Sequence, residues 1–178
     1  MEEEKKLFKN RRNKVYIVDG KEVWESRSVA VNCVVVAGSI TQPFILLGKR
    51  GKGAPDSIGL FNVPSGYLDY DESGTEAVYR EVWEETGLYL PEEKIVINNL
   101  LNPWYINTHP GENRQNVTLR YGCVISLMDR ELPKLTFENS EPDEVEELRW
   151  VPVSELGNYK FAFNHDTVIK QYLNLINY

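Results

Sequence analysis

Soft metal ligands are scarce in this chain. Its 178 residues hold two cysteines, Cys33 and Cys123, and two histidines, His109 and His165. No CxxC pair occurs, and so few Cys and His argue against a structural zinc site. Both cysteines are flanked by apolar, strand-like sequence and read as core residues. Long apolar runs are also missing. Nowhere do ~20 apolar residues follow one another, so no segment reads as a membrane span. The opening stretch, "MEEEKKLFKNRRNK", is charged and has no apolar core of the kind a signal peptide needs. A cytoplasmic protein is expected. An excess of positive charge is the third absence. Lys and Arg number 20 against 27 Asp and Glu, for a net charge of −7. A surface that grips nucleic acid through its phosphates carries the opposite balance, so no nucleic-acid partner is expected.

What is present is enough for one domain. Hydrophobic residues make up 42% of the chain, which supports a sizeable core and argues against overall disorder. Residues 1–13 read as an arm. "VYIVDGKEVWE" then offers two β-prone runs around Asp19-Gly20, the strongest short hairpin signal. "SVAVNCVVVA", from Ser28, is β-branched without helical period and suits a buried central strand. "PFILLGKR" is its expected partner. Further strands are expected in "KIVINNLL", "NVTLRYGCVISLM" and "EELRWVPVSEL", with "NPWYINTHPGENRQN" as a polar loop between the first two. One helix is expected from about Ser73 to Thr86, stopped by Gly87, and a second in "HDTVIKQYLNLIN". Strands and helices in this order give an α+β domain, with residues 1–27 as arm and hairpin and 28–178 as its body.

The first helix carries the main question. Glu81, Glu84 and Glu85 crowd its C-terminal half. On a wheel of ~100° per residue they share an arc of ~100°. That arc lies at the edge of the apolar stripe of Ala77, Val78 and Val82, where a solvated acidic face would lie opposite it. Like charges at this spacing repel. Either the face is solvated after all, or a hard cation such as Mg²⁺ or Mn²⁺ sits among the oxygens. Periodicity alone leaves both readings open.

The residue pattern separates them. Gly66, five residues, Glu72, seven residues, then Arg80-Glu81-Val82-Trp83-Glu84-Glu85-Thr86-Gly87-Leu88 resembles the Nudix box at every defining position. "ILLGKR" and "GLFNVPSGYLD" before it, and "EVEELRWVPVSEL" and "FAFNHD" after it, resemble the flanking parts of Nudix domains. The similarity covers roughly residues 28–175. One departure is Ser65-Gly66, where the family usually has Gly-Gly. The resemblance implies the Nudix fold, an α/β/α sandwich around a mixed sheet. It also implies Mg²⁺- or Mn²⁺-dependent hydrolysis of a pyrophosphate bond in a nucleoside diphosphate derivative. Glu81 and Glu85 would be the principal metal ligands, with Glu84 completing the cluster and the Ser65 carbonyl turned toward it. Glu72 would bind through water or hold Arg80, and Arg80 would orient the glutamates. A further carboxylate serves as base or extra ligand in this family; among Glu138, Glu141, Glu144 and Glu146, spacing to Trp150 favours Glu144, then Glu141.

The substrate is less legible. Lys49 and Arg50, at the end of a strand leading toward the box, are expected phosphate contacts. Trp104, Tyr105 or Phe61 could stack on a base, and His109 and Arg114 could touch substrate from the polar loop. Pro103 lies fifteen residues after Leu88, resembling ADP-ribose pyrophosphatases; Tyr105 lies seventeen after, resembling dinucleoside polyphosphate hydrolases. Nucleoside triphosphates and ADP-ribose or nucleotide sugars therefore both remain open. The added hairpin resembles those of sugar-nucleotide Nudix enzymes, which dimerise through them, so a homodimer is expected. Two rivals differ in class. A non-catalytic Nudix sensor usually erodes the box, which here is intact. An isopentenyl diphosphate isomerase depends on a cysteine in a Cys/Ser/His-Pro loop, and neither Cys33 nor Cys123 lies in one.

Overall fold

The β-branched run after residue 27 becomes the spine of the sheet. In the computed structural model, which describes residues 14–24, 28–110, 115–128 and 130–178, the first two strands are β1 (Val15–Val18) and β2 (Lys21–Trp24). They pair antiparallel around Asp19 and Gly20, both at positive φ. Positive φ at both central residues is what a twisted two-residue hairpin requires. Strands β3 (Ser28–Ser39) and β4 (Gln42–Arg50) follow, then the short β5 (Phe61–Asn62) and β6 (Ser65–Tyr67). Helix α1 spans Gly74–Thr86. Beyond it come β7 (Ile95–Asn99), β8 (Tyr105–Pro110), β9 (Gln115–Ile125), β10 (Val145–Pro152) and helix α2 (His165–Leu175).

The main sheet runs β10-β4-β3-β9-β7, with β5 on β4, β6 on β3 and β8 on β9. It is mixed: β3 and β9 are parallel and the other pairings antiparallel. Alternation along β3 splits its side chains between two cores. Val31, Cys33, Val35 and Ala37 pack with Ala77, Val78 and Val82 of α1. Val34 and Val36 pack with Val168, Ile169 and Tyr172 of α2. One helix per face gives the α/β/α sandwich. Cys33 and Cys123 are both buried and free. Among the described residues no helix is long and apolar enough to cross a membrane.

A fork in the sheet positions the site. Strand β3 pairs with β4 only over Val36–Ser39, while its first half pairs with β6 at Ala30–Asn32. Between these the chain of β6 enters beside β3, with the Cys33 amide donating to the Pro64 carbonyl at 3.0 Å. The C-terminal half of α1 lies over this opening. One segment differs from the sequence reading. Tyr105–Pro110, expected as loop, is strand β8, because each of its residues finds a partner along Gln115–Arg120 of β9.

Candidate active site

Helix α1 is held at both ends. The Ser73 side chain accepts from the Glu76 amide at 3.3 Å, and the Glu76 carboxylate accepts from the Ser73 amide at 2.9 Å. This reciprocal cap satisfies two N–H groups that a helix start leaves open. At the other end Gly87 sits at φ 69°, and a Cβ there would come 2.4 Å from the Thr136 methyl group. Fixed at both ends, the helix delivers Glu81, Glu84 and Glu85 to the fork at a set height.

Arg80 organises the outer carboxylates. Its Nε and Nη2 donate to the two Glu72 oxygens at 2.8 and 2.9 Å, a bidentate fork. Nη1 donates to Glu81 at 2.8 Å and Glu84 at 3.0 Å, and Nη2 also reaches the Tyr67 carbonyl at 2.9 Å. All five N–H donors are used. The paired guanidinium holds the Glu72 carboxyl below its usual range.

The inner carboxylates live differently. Glu85 is 5% exposed, and its one hydrogen bond among the described residues comes from the Ser65 amide at 3.4 Å. Burial raises its pKa, and the nearby charges of Glu81 and Glu144 raise it further. Burial likewise pushes Glu81 up to about 7, against the opposing pull of Arg80. Glu81 lies directly on the backbone of β6: a Cβ at Gly66 would stand 2.0 Å from its Oε1. A side chain is therefore impossible at Gly66 while Glu81 keeps this place, a stronger demand than conformational freedom.

Glu144 completes the group from the other side. Its loop is stitched to the end of β4 by the Gly51 amide on the Glu144 carbonyl, at 2.7 Å, and the Gly53 amide on the Asp143 carbonyl, at 2.8 Å. Half-buried, Glu144 has a raised pKa through burial first, with Glu141 and Glu84 adding to it. Of the other acidic residues named from the sequence, Glu138 and Glu141 are exposed, and Glu146 ion-pairs with Lys49 at 3.3 Å.

The cations divide. Lys49 is committed to Glu146. Arg50 is buried, donates through Nε to the Asp56 carbonyl at 3.0 Å and lies 4.9 Å from the centre of the Phe163 ring. Its charge is felt by both Glu85 and Glu144, which sets it beside the inner carboxylates. Phe61 is packed edge-on against Tyr159 at 4.9 Å, on the α2 side of the core. Tyr105 is half exposed on β8, its ring centre 4.9 Å from the Arg120 guanidinium. Arg114 and the side chain of His109 lie outside the described residues.

Several polar residues at this opening escaped the sequence reading. His165 is buried, its Nδ1 accepts the Val63 amide at 3.2 Å, and burial with Arg120 and Arg50 nearby lowers its pKa to about 3. Phe163 and Asn164 both take positive φ, 54° and 58°, where the chain turns into α2 beside Arg50. Asn32 is buried inside an apolar run of β3, and Arg120 is buried in β9. A polar residue inside "VAVNCVVVA" or "VTLRYGCVI" was the available signal.

Among the described residues no three Asp, Glu, His or Cys side chains already surround one point as a finished ion cage. The donor set nevertheless fits a hard dication. It is all oxygen: Glu85 is buried with no cation bonded to it among the described residues, and Glu81 has only a share of Arg80, which also holds Glu72 and Glu84.

The NUDIX domain family model matches residues 26–172. The chain belongs to the Nudix family. Among its relatives, an ADP-ribose pyrophosphatase of Methanocaldococcus jannaschii is 27% identical over 96% of this chain and 90% of its own. The Nudix domain of Shewanella oneidensis NrtR, in a cocrystal with ADP ribose, superposes with a TM-score of 0.64 at 21% identity. That match covers 85% of this chain and 90% of the other. A C. elegans Ap4A hydrolase gives 0.62 at 11% identity, over 84% of this chain and 98% of the other. At such identities the structural matches speak for the fold. This Nudix chain is a hydrolase of the pyrophosphatase kind.

Proposed function

We propose that this Nudix protein hydrolyses the pyrophosphate bond of an ADP-ribose-like nucleoside diphosphate derivative, with Mg²⁺ or Mn²⁺ as cofactor. The observation that carries the reading is the carboxylate cluster itself: Glu85 buried on the Ser65 amide, with Glu81 beside it, Glu144 facing them half-buried, and one guanidinium, Arg80, shared among Glu72, Glu81 and Glu84. Glu81, Glu84 and Glu85, with the Ser65 carbonyl, would hold the ion. When bound, it polarises phosphoryl oxygens and lowers the pKa of a coordinated water. Arg80 keeps Glu81 and Glu84 in place through fixed hydrogen bonds. Glu144, whose pKa burial raises above the ordinary carboxylate range, accepts a proton from the attacking water. Arg50 balances charge on the phosphates. Water adds to one phosphorus as the bridging oxygen leaves, yielding a nucleoside monophosphate and a second phosphate ester.

The near full-length similarity to an ADP-ribose pyrophosphatase supports this substrate class over nucleoside triphosphates. The β1–β2 hairpin, which carries exposed apolar residues, supports a homodimer.

The test is a panel of ADP-ribose, nucleotide sugars, diadenosine polyphosphates and nucleoside triphosphates, with products resolved by chromatography. Cleavage of ADP-ribose that needs Mg²⁺ or Mn²⁺, stops in EDTA and falls at least ~10³-fold in Glu85→Gln is expected. Turnover indifferent to EDTA, or preferred cleavage of a nucleoside triphosphate, would refute the reading.

A further inference from the structure

Among the described residues Arg120 is the least explained charge. It is 8% exposed, yet among the described residues no carboxylate pairs with it. Its Nη1 donates to Gln171 of α2 at 2.7 Å, while its buried Nε has no partner. A buried cation without an anion is costly, and a structural role would have been filled more cheaply by an apolar residue.

Its neighbours are unsatisfied too. The buried Asn32 Oδ1 lacks a donor, and the buried Trp104 indole N–H lacks an acceptor. Native proteins leave few such groups, so several of them close together in the fold call for a partner from outside the chain. The register shows how they are arranged. Ser65 of β6 pairs with Asn32 of β3, Asn32 with Arg120 of β9, and Arg120 with Tyr105 of β8. Asn32 lies between Val31 and Cys33, which face α1, so its side chain faces α2, as does that of Arg120. The row starts at Ser65, whose amide touches Glu85. It ends where the Arg120 guanidinium lies 4.9 Å from the Tyr105 ring centre and 5.9 Å from that of Trp104. Strands stand ~4.8 Å apart, so Arg120 is about 10 Å from Ser65.

We infer that Arg120 and Asn32, walled by Trp104 and Tyr105, read the edge of the adenine base in the substrate. An adenine edge presents one ring-nitrogen acceptor beside one amino donor. The unpaired Nε–H of Arg120 is the donor for the first and the unpaired Asn32 Oδ1 the acceptor for the second, both shielded from solvent until the base displaces the Tyr105 ring that lies against Arg120. Tyr105 is half exposed and its ring offers a face for the purine, while Trp104, packed between Tyr105 at 6.0 Å and Tyr172 at 5.6 Å, backs it. This inference rests on the nucleoside diphosphate reading of the same site.

The experiment is calorimetric binding of AMP and of ribose 5-phosphate, in EDTA, to the wild-type chain and to Arg120→Met and Arg120→Lys. Wild type should bind AMP at least tenfold more tightly than ribose 5-phosphate. Both variants should lose that preference, since lysine keeps the charge without the fixed N–H geometry. Ribose 5-phosphate affinity should not change. Arg120→Met should melt no lower than wild type, because it removes an uncompensated buried charge. An AMP preference that is absent from wild type, survives in a folded variant, or disappears only through equal weakening of both ligands would overturn the inference. Should Arg120→Met fail to fold, Arg120→Lys decides the matter alone. Turnover of ADP-ribose is measured separately: binding that depends on Arg120 without turnover removes the hydrolase reading, and turnover with an unchanged AMP preference removes only the base subsite.

Discussion

At the scale of single residues, this site is a contest between burial and charge. Arg80 settles it for Glu72, whose carboxyl is held low, but not for Glu81 or Glu85, where desolvation wins. The sign of the consequence follows. A carboxyl raised in the folded state binds more protons folded than unfolded, so its contribution is fully present below the unfolded pKa and is lost as pH rises through the folded one. For Glu81 that window runs from the ordinary 4.5 to about 7. The associated loss is on the order of 3 kcal/mol. The metal-free protein should therefore lose chemical stability between pH 5 and 8 in urea titrations. Glu81→Gln should flatten that slope, and Mg²⁺ should restore stability at pH 8 by binding the ionised form. A stability curve that rises over this range would contradict the burial argument.

At the scale of elements, α1 separates stability from activity. Its N-terminal cap lies a full turn and more from the inner carboxylates, so Ser73→Ala should cost about 1 kcal/mol, or about 2–4 °C in Tm, with kcat unchanged. Gly66→Ala should do the reverse. The atoms nearest to the new methyl group are all at the far end of the flexible Glu81 side chain, so Tm should change little. Displacing that carboxylate should lower kcat/KM by at least ~10²-fold. Melting curves and kinetics on the two variants check both halves, and equal effects on Tm and kcat/KM would refute the separation. The same helix was also the most legible element. Its cap, apolar stripe and stop glycine are local signals, and the carboxylate spacing is a property of the helix itself. Strand β8 was illegible for the opposite reason. Tyr105–Pro110 carries turn-like polar residues and becomes a strand only because β9 is there to pair with it. Tyr105 stands out in the sequence as an aromatic residue, but the strand that brings it against Arg120 does not.

For the whole molecule, legibility stopped where distant segments meet. Asn32 and Arg120 stand 88 positions apart and share one rung of the sheet, a pairing that only the topology supplies. The box, by contrast, is compressed into one turn and one helix. The hairpin raises a different question at this scale, that of what covers it. Strands β1 and β2 form a sheet of their own, separate from the eight-stranded one. Val15, Tyr16, Ile17, Val18 and Val23 on it are all between 41% and 68% exposed. A lone two-stranded hairpin is marginal in water, and the proposed homodimer would stabilise this one by burying that apolar surface. A second copy of the chain presents the same surface, and a two-fold axis makes such a patch complementary to itself. Ile17 is the most exposed of the five, so a charge there costs the isolated chain little while placing two like charges across the interface. Ile17→Lys should shift sedimentation from dimer to monomer at micromolar concentration, with the far-UV spectrum unchanged. A wild-type protein that sediments as a monomer, or a variant that stays dimeric, would mean that the hairpin is covered by something other than its own copy.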